Sequence, residues 1–196
     1  MIWEYVLNDL MEPLSFIPQG ILISLAVVWA GILFQKSAAG RKRNPGKANG
    51  ERGQGKRGKS RGYFWTKIFC MVLYSYVVFQ ISFWFREPGT RNAVNLELFG
   101  TWGPGSQARA YVIENVIMFI PFGILAPSLC PALKKGAWCA AAGFFCSLVI
   151  ETAQRITERG YFQLDDIVMN TLGTFLGWLC WKVFKRLASD GMSCVY

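Results

Sequence analysis

Five long apolar runs dominate the chain, and polar segments separate them. The runs cover about residues 14–34, 64–85, 108–127, 136–152 and 164–184. Each approaches the roughly 20 residues that an α-helix needs to cross the hydrocarbon core of a bilayer. The pattern predicts an all-α, integral membrane helical bundle of about five transmembrane helices. The third run, which contains Pro121 and Gly123, and the short fourth run carry the weakest signal.

Polar and small residues recur at helical spacing on the last two runs. Steps of three and four residues place side chains on one face of a helix. The members are Gly143, Ser147, Glu151 and Gln154 on the fourth run, and Asp166, Asn170, Gly173 and Gly177 on the fifth. Each helix is therefore expected to present a seam of small residues that ends in hydrogen-bonding groups.

Glycines and a proline within these runs predict structural roles. Gly173 and Gly177 form a GxxxG motif, typical of close helix packing within one chain or between two, so a homo-oligomer is one interpretation. Pro121 frees a helix carbonyl. With Gly123 it indicates either a kink or a re-entrant segment that forms the floor of a pocket.

The charge pattern sets an orientation. Residues 36–67 contain eleven Lys or Arg and one acid, and loops of that kind stay in the cytoplasm. The prediction is a multi-pass cell membrane protein with its N-terminus outside and its C-terminus cytoplasmic. Its parts are an N-terminal segment with the first helix (1–35), a basic disordered cytoplasmic loop (36–62), a membrane domain (63–187) and a C-terminal tail (188–196). We interpret the basic loop as resting on anionic membrane lipids, with no nucleic-acid partner.

Composition narrows the chemistry. Hydrophobic residues make up 53% of the 196 residues, and histidine is absent, which removes the usual proton shuttle and the commonest metal ligand. The six cysteines form no CxxC pair, so we interpret them as reduced and structural, and we expect neither a metal site nor a cofactor.

This topology collects a set of polar residues on the outer face. They are Arg91, Asn115, Glu151, Gln154, Arg159, Asp165, Asp166 and Asn170. Structural interpretations stand beside a ligand-binding one. Asp165 or Asp166 would cap the fifth helix, and Glu151 would form a buried ion pair with Arg159 or Arg91. Alternatively, Glu151, Asp165 and Asp166 would hold a divalent cation and act as a general base in an enzyme.

Two ordered motifs resemble those of the VanZ-like family of bacterial membrane proteins. ENVIMFIPFGILAP (residues 114–127) precedes an ExxQ…RGxFxLDDxxxNTLGxxLG pattern at residues 151–177, and the resemblance covers about residues 81–185 without reaching the first helix. The upstream RNAVNLELF is similar to the family's Arg-x-x-Asn-Leu-x-x-Phe segment, although Glu97 and Leu98 stand where a proline is usual before the aromatic.

The resemblance implies an outward-facing function at the cell envelope, because the family is associated with resistance to the glycopeptide teicoplanin. The resulting hypothesis is a non-enzymatic polar pocket that binds a lipid- or cell-wall-linked ligand and lowers susceptibility to lipophilic glycopeptides. Its partners would be membrane lipids and either a lipid-linked cell-wall precursor or a glycopeptide. The alternative is a membrane enzyme that acts on a lipid phosphate or a cell-wall precursor.

Overall fold

The chain folds into an almost wholly helical bundle. The computed structural model describes residues 4, 6, 11–41, 54–84, 86, 88–89, 93–98 and 106–193. After a 3₁₀ turn at Glu12–Phe16, the helices are α1 (Ile17–Arg41), α2 (Gln54–Phe79), α3 (Ser106–Leu129), α4 (Gly136–Ile156) and α5 (Leu164–Ser193). Two short strands, β1 (Val94–Asn95) and β2 (Phe162–Gln163), pair in parallel.

Within the described residues, five helices are long and apolar enough to cross a membrane. Their spans are Leu14–Gln35, Arg61–Trp84, Arg109–Leu129, Gly136–Ile156 and Leu164–Ser189. The predicted class is confirmed, and the chain is a multi-pass membrane protein. The fourth span is longer than its apolar run indicated, because the helix continues through the polar residues to Ile156.

The third span is one continuous helix. Pro121 and Pro127 both lie inside α3, so the alternative of a re-entrant segment at Pro121 is wrong. The helix ends where Cys130 adopts an extended conformation (φ −115°, ψ 117°) before Pro131. A residue that precedes proline is disfavoured in the helical region, which explains this boundary.

The most extensive helix pair is α3 with α5, and glycines make this contact possible. A Cβ at Gly173 would lie 3.0 Å from the carbonyl carbon of Val116, and one at Gly177 would lie 3.0 Å from the Cα of Gly123. The GxxxG face therefore packs against the backbone of α3 in the same chain. Gly123 belongs to this contact as well, since its own Cβ would lie 2.8 Å from the main-chain nitrogen of Trp178.

The second span ends in a π-helical turn at Gln80–Trp84, directly after α2. A π-turn shifts the helix hydrogen-bond register, and such turns are frequent at functional sites. Here the carbonyl oxygens of Ser82 and Phe83 accept hydrogen bonds from side chains of the α4–β2 region. The turn thus ties the end of α2 to the end of α4.

The basic loop differs from its predicted boundaries. Helix α1 continues to Arg41 and α2 begins at Gln54, so both ends of the segment predicted as disordered are helical. Residues 42–53 lie outside the described residues. At this end of the bundle, Arg61 donates two hydrogen bonds to Oε1 of Gln35 (2.9 and 2.6 Å) and so joins α1 to α2.

Candidate functional site

The ends of α2, α3, α4 and α5 meet at one end of the bundle and bring polar side chains together. The side chain of Asn115, in α3, hydrogen-bonds to the carboxylate of Asp166, in the first turn of α5. The charge of Asp166 in turn acts on Glu151, near the end of α4. Three of the residues predicted from the sequence therefore converge, although up to 51 positions separate them along the chain.

Glu151 links α4 to the strand before α5. Its side chain is 3% exposed, and its Oε2 accepts a hydrogen bond from the main-chain nitrogen of Gln163 at 3.0 Å. Gln163 lies in β2, whose partner β1 pairs Val94 with Phe162 and Asn95 with Gln163. The carboxylate therefore anchors the small sheet that crosses this end of the bundle.

Arg159 holds the backbone. Its Nη1 donates to the carbonyl oxygen of Phe83 and, at 3.2 Å, to that of Arg86. The predicted ion pair of Glu151 with Arg159 is therefore corrected, because these main-chain oxygens engage the guanidinium at the end of the π-turn. The other predicted cation, Arg91, lies outside the described residues.

The cation of the cluster is Arg86, which was not among the residues predicted for the site. Its charge acts on both Glu151 and Asp166. Gly160 leaves room for it, because a Cβ there would lie 2.8 Å from Nη1 of Arg86. The available signal was an arginine at the end of the second span, on the same side of the predicted membrane as the carboxylates.

Two buried amides support the cluster from below. Gln154 donates through Nε2 to the carbonyl oxygen of Ser82 (3.0 Å), and Asn170 donates through Nδ2 to Oγ of Ser147 (2.8 Å). Oε1 of Gln154 and Oδ1 of Asn170 are buried and have no hydrogen-bond partner within the described part of the protein. A buried acceptor without a donor costs about 1–3 kcal/mol, so each marks a place where a further donor would stabilise the site.

Burial separates the cluster into two layers. Glu151, Gln154, Asp165 and Asn170 are between 1% and 3% exposed, whereas Arg86, Asn115, Arg159 and Asp166 are half-buried. The half-buried residues are accessible to a ligand. The buried residues are accessible only through them or after the small sheet has moved.

A metal centre does not follow from this geometry. Across the described residues, no three carboxylate or cysteine side chains are grouped so that they could hold a metal ion. The carboxylate set that the sequence offered for a divalent cation, Glu151 with Asp165 and Asp166, is instead interleaved with Arg86 and with the amide of Asn115.

The comparison with known families rests on most of this architecture. A family model described as VanZ/LLP1 matches residues 21–185, from α1 to the second half of α5. The chain belongs to the VanZ/LLP1 family. The resemblance taken from the sequence began near residue 81 and excluded the first helix. This boundary is wrong, because the VanZ/LLP1 match begins inside that helix. No curated protein and no solved structure matches the chain.

Membership in VanZ/LLP1 covers all four helix ends that form the polar cluster. Arg86, Asn115, Glu151 and Asp166 all lie between residues 21 and 185. The cluster is therefore part of the family domain and does not lie in an appended segment.

Proposed function

We propose that this VanZ/LLP1 member is a non-enzymatic membrane protein whose polar cluster binds a lipid-linked or cell-wall-linked ligand at the outer surface. Through that binding it lowers susceptibility to lipophilic glycopeptides such as teicoplanin. The observation that carries the proposal is the convergence of Asn115, Glu151 and Asp166 around one arginine, Arg86, at a single end of the bundle. Polar groups in a membrane domain are costly, which favours a functional role.

The charge balance of the cluster favours a ligand with groups of both signs. Glu151, Asp165 and Asp166 supply three carboxylates, and Arg86 and Arg159 supply two guanidinium groups. A ligand with amine, amide or hydroxyl donors beside an anionic group would pair with both kinds of residue. Lipids that carry sugars and peptides, such as cell-wall precursors, have this mixture of groups.

The orientation of the cluster follows from the opposite end of the bundle. Lys134 and Lys135 flank the start of α4, and Lys182, Lys185 and Arg186 lie in the second half of α5. Together with the basic segment at residues 36–67, they mark the cytoplasmic end. The polar cluster, at the other ends of the same helices, would then face outward.

The test is susceptibility to teicoplanin in a bacterial host that expresses the protein, compared with an empty vector. Asp166→Asn and Glu151→Gln keep the size of each side chain and remove its charge, and we expect both to abolish protection. The matched control is Glu97→Gln, which makes the same change at an exposed carboxylate near the same end. Membrane levels of all three variants are measured by immunoblot.

Retained protection in Asp166→Asn and Glu151→Gln would overturn the role of the charged cluster. A glycopeptide without a lipid tail serves as the drug control, and we expect the protein to give much less protection against it. Equal protection against both drugs would instead assign the effect to the shared peptide-binding part of the antibiotics. Loss of protection in Glu97→Gln as well would indicate a general charge effect.

A further inference from the structure

A basic groove lies at the opposite end of the bundle from the polar cluster. It has a volume of about 530 Å³ and lies where the 3₁₀ turn at Pro131–Lys134 meets the second half of α5. Its basic lining residues are Lys134, Lys135, Lys182, Lys185 and Arg186. Its other lining residues are two tryptophans and Ser189, so no carboxylate neutralises the five positive charges within the lining.

The tryptophan wall of this basic groove is built into the fold. Trp178 is 9% exposed, and its Nε1 donates to the carbonyl oxygen of Lys134 at 3.1 Å. Gly136 makes room for the indole, because a Cβ there would lie 3.0 Å from the ring. The position of the ring is therefore fixed from two sides by the start of α4.

The same tryptophans position two of the ammonium groups. Nζ of Lys182 lies 4.8 Å from the centre of the Trp178 ring, and Nζ of Lys185 lies 5.3 Å from that of Trp181. Cation–π contacts of this length attract the ammonium groups to the rings. The two lysines are thereby held along one edge of the groove, and little side-chain entropy would be lost on binding an anion.

An apolar surface continues from the groove along α5. Val183, Phe184 and Leu187 are 54%, 66% and 63% exposed, as expected for side chains that face acyl chains. Tryptophan is enriched at the headgroup level of membranes, with its apolar ring toward the lipid. The groove therefore combines positive charge, an aromatic wall and an adjacent acyl-chain surface.

We propose that this basic groove is a specific binding site for an anionic phospholipid. The phosphate of the headgroup contacts Lys182, Lys185 and Arg186, and the acyl chains lie along Val183, Phe184 and Leu187. Basic pockets at the cytoplasmic ends of transmembrane helices recognise anionic headgroups through this combination. The acyl-chain surface favours a lipid over a soluble phosphate compound. This site is separate from the polar cluster and does not depend on the function proposed for it.

The test measures lipid retention by native mass spectrometry of the full chain in detergent. The probes are phosphatidylglycerol and phosphatidylcholine with identical acyl chains. We expect phosphatidylglycerol to be retained preferentially. The triple variant Lys182→Gln, Lys185→Gln, Arg186→Gln should reduce its affinity about tenfold or more, because each basic group near a lipid surface contributes to anion binding. The control Lys56→Gln, Arg57→Gln, Lys59→Gln removes three charges from the basic segment at residues 36–67, and it should change the affinity by less than about twofold.

Three outcomes would overturn the proposal. They are equal retention of the two lipids, equal loss in the two triple variants, and full displacement of phosphatidylglycerol by glycerol 3-phosphate at matched concentration. The second outcome would assign binding to diffuse charge, and the third to a soluble phosphate compound. Lys185→Gln alone provides a milder variant if the triple variant unfolds, with an expected loss of about threefold.

Discussion

The close contact of α3 with α5 makes a quantitative prediction for Gly177→Ala. The new Cβ would overlap the carbonyl oxygen of Ile120 and lie 3.0 Å from the Cα of Gly123. Both are backbone positions, so neither can move without separating the two helices. Overpacking of a rigid contact costs about 3 kcal/mol, at the upper end of the usual range. Alanine recovers about 1 kcal/mol over glycine in a helix. The net loss is therefore about 2 kcal/mol, or roughly 30-fold in the unfolding equilibrium.

Gly62→Ala is the matched control, since it makes the same change in α2 at a site where a Cβ would meet no atom within 4 Å. Only the helix-propensity gain applies there, so this variant should be stabilised by up to about 1 kcal/mol. The assay is reversible unfolding in mixed micelles by titration with a denaturing detergent, followed by tryptophan fluorescence. The two variants should differ by about 3 kcal/mol. A Gly177→Ala protein as stable as Gly62→Ala would refute the close approach of α3 and α5.

Three further predictions concern the polar cluster and the orientation. Gly160→Ala should displace the guanidinium of Arg86, which lies 2.8 Å from the new Cβ, and remove protection against teicoplanin while unfolding stays within about 1 kcal/mol of the unaltered protein; unchanged protection would exclude a role for the position of Arg86. In a cysteine-free background, single cysteines at the exposed positions Glu158 and Ser189 should label from outside and only after permeabilisation, respectively; the reverse pattern would invert the topology. Magnesium or manganese should leave the unfolding midpoint unchanged if the cluster holds no cation; a shift that Asp166→Asn abolishes would favour the enzyme alternative.

The sequence predicted the bundle well because bilayer burial leaves a strong local signal. Apolar runs of helical length mark all five spans, and the seam from Asp166 to Gly177 placed the GxxxG face correctly on one side of α5. Whether that face met the same chain or a second copy depended on tertiary structure, which spacing does not contain. The structure assigns the contact to α3.

The candidate site was only partly predictable for a similar reason. Asn115, Glu151 and Asp166 were recognisable as polar groups at helix ends, and they converge. The roles of the arginines were not recognisable. Arg159 binds main-chain oxygens exposed by the π-turn, and Arg86 occupies the space beside Gly160. Both depend on carbonyl directions and on a missing Cβ, which residue type and spacing do not encode.

The parallel pairing of β1 with β2 has a consequence for biogenesis. β1 precedes α3, whereas β2 directly precedes α5, the last helix to leave the ribosome. Asn115 therefore enters the membrane before its partner Asp166 has been synthesised, and Arg86 waits for both of its carboxylates. The polar end of the bundle is completed at the final insertion step, so a ribosome that stalls before residue 164 would leave the translocation machinery holding three unpaired helix ends.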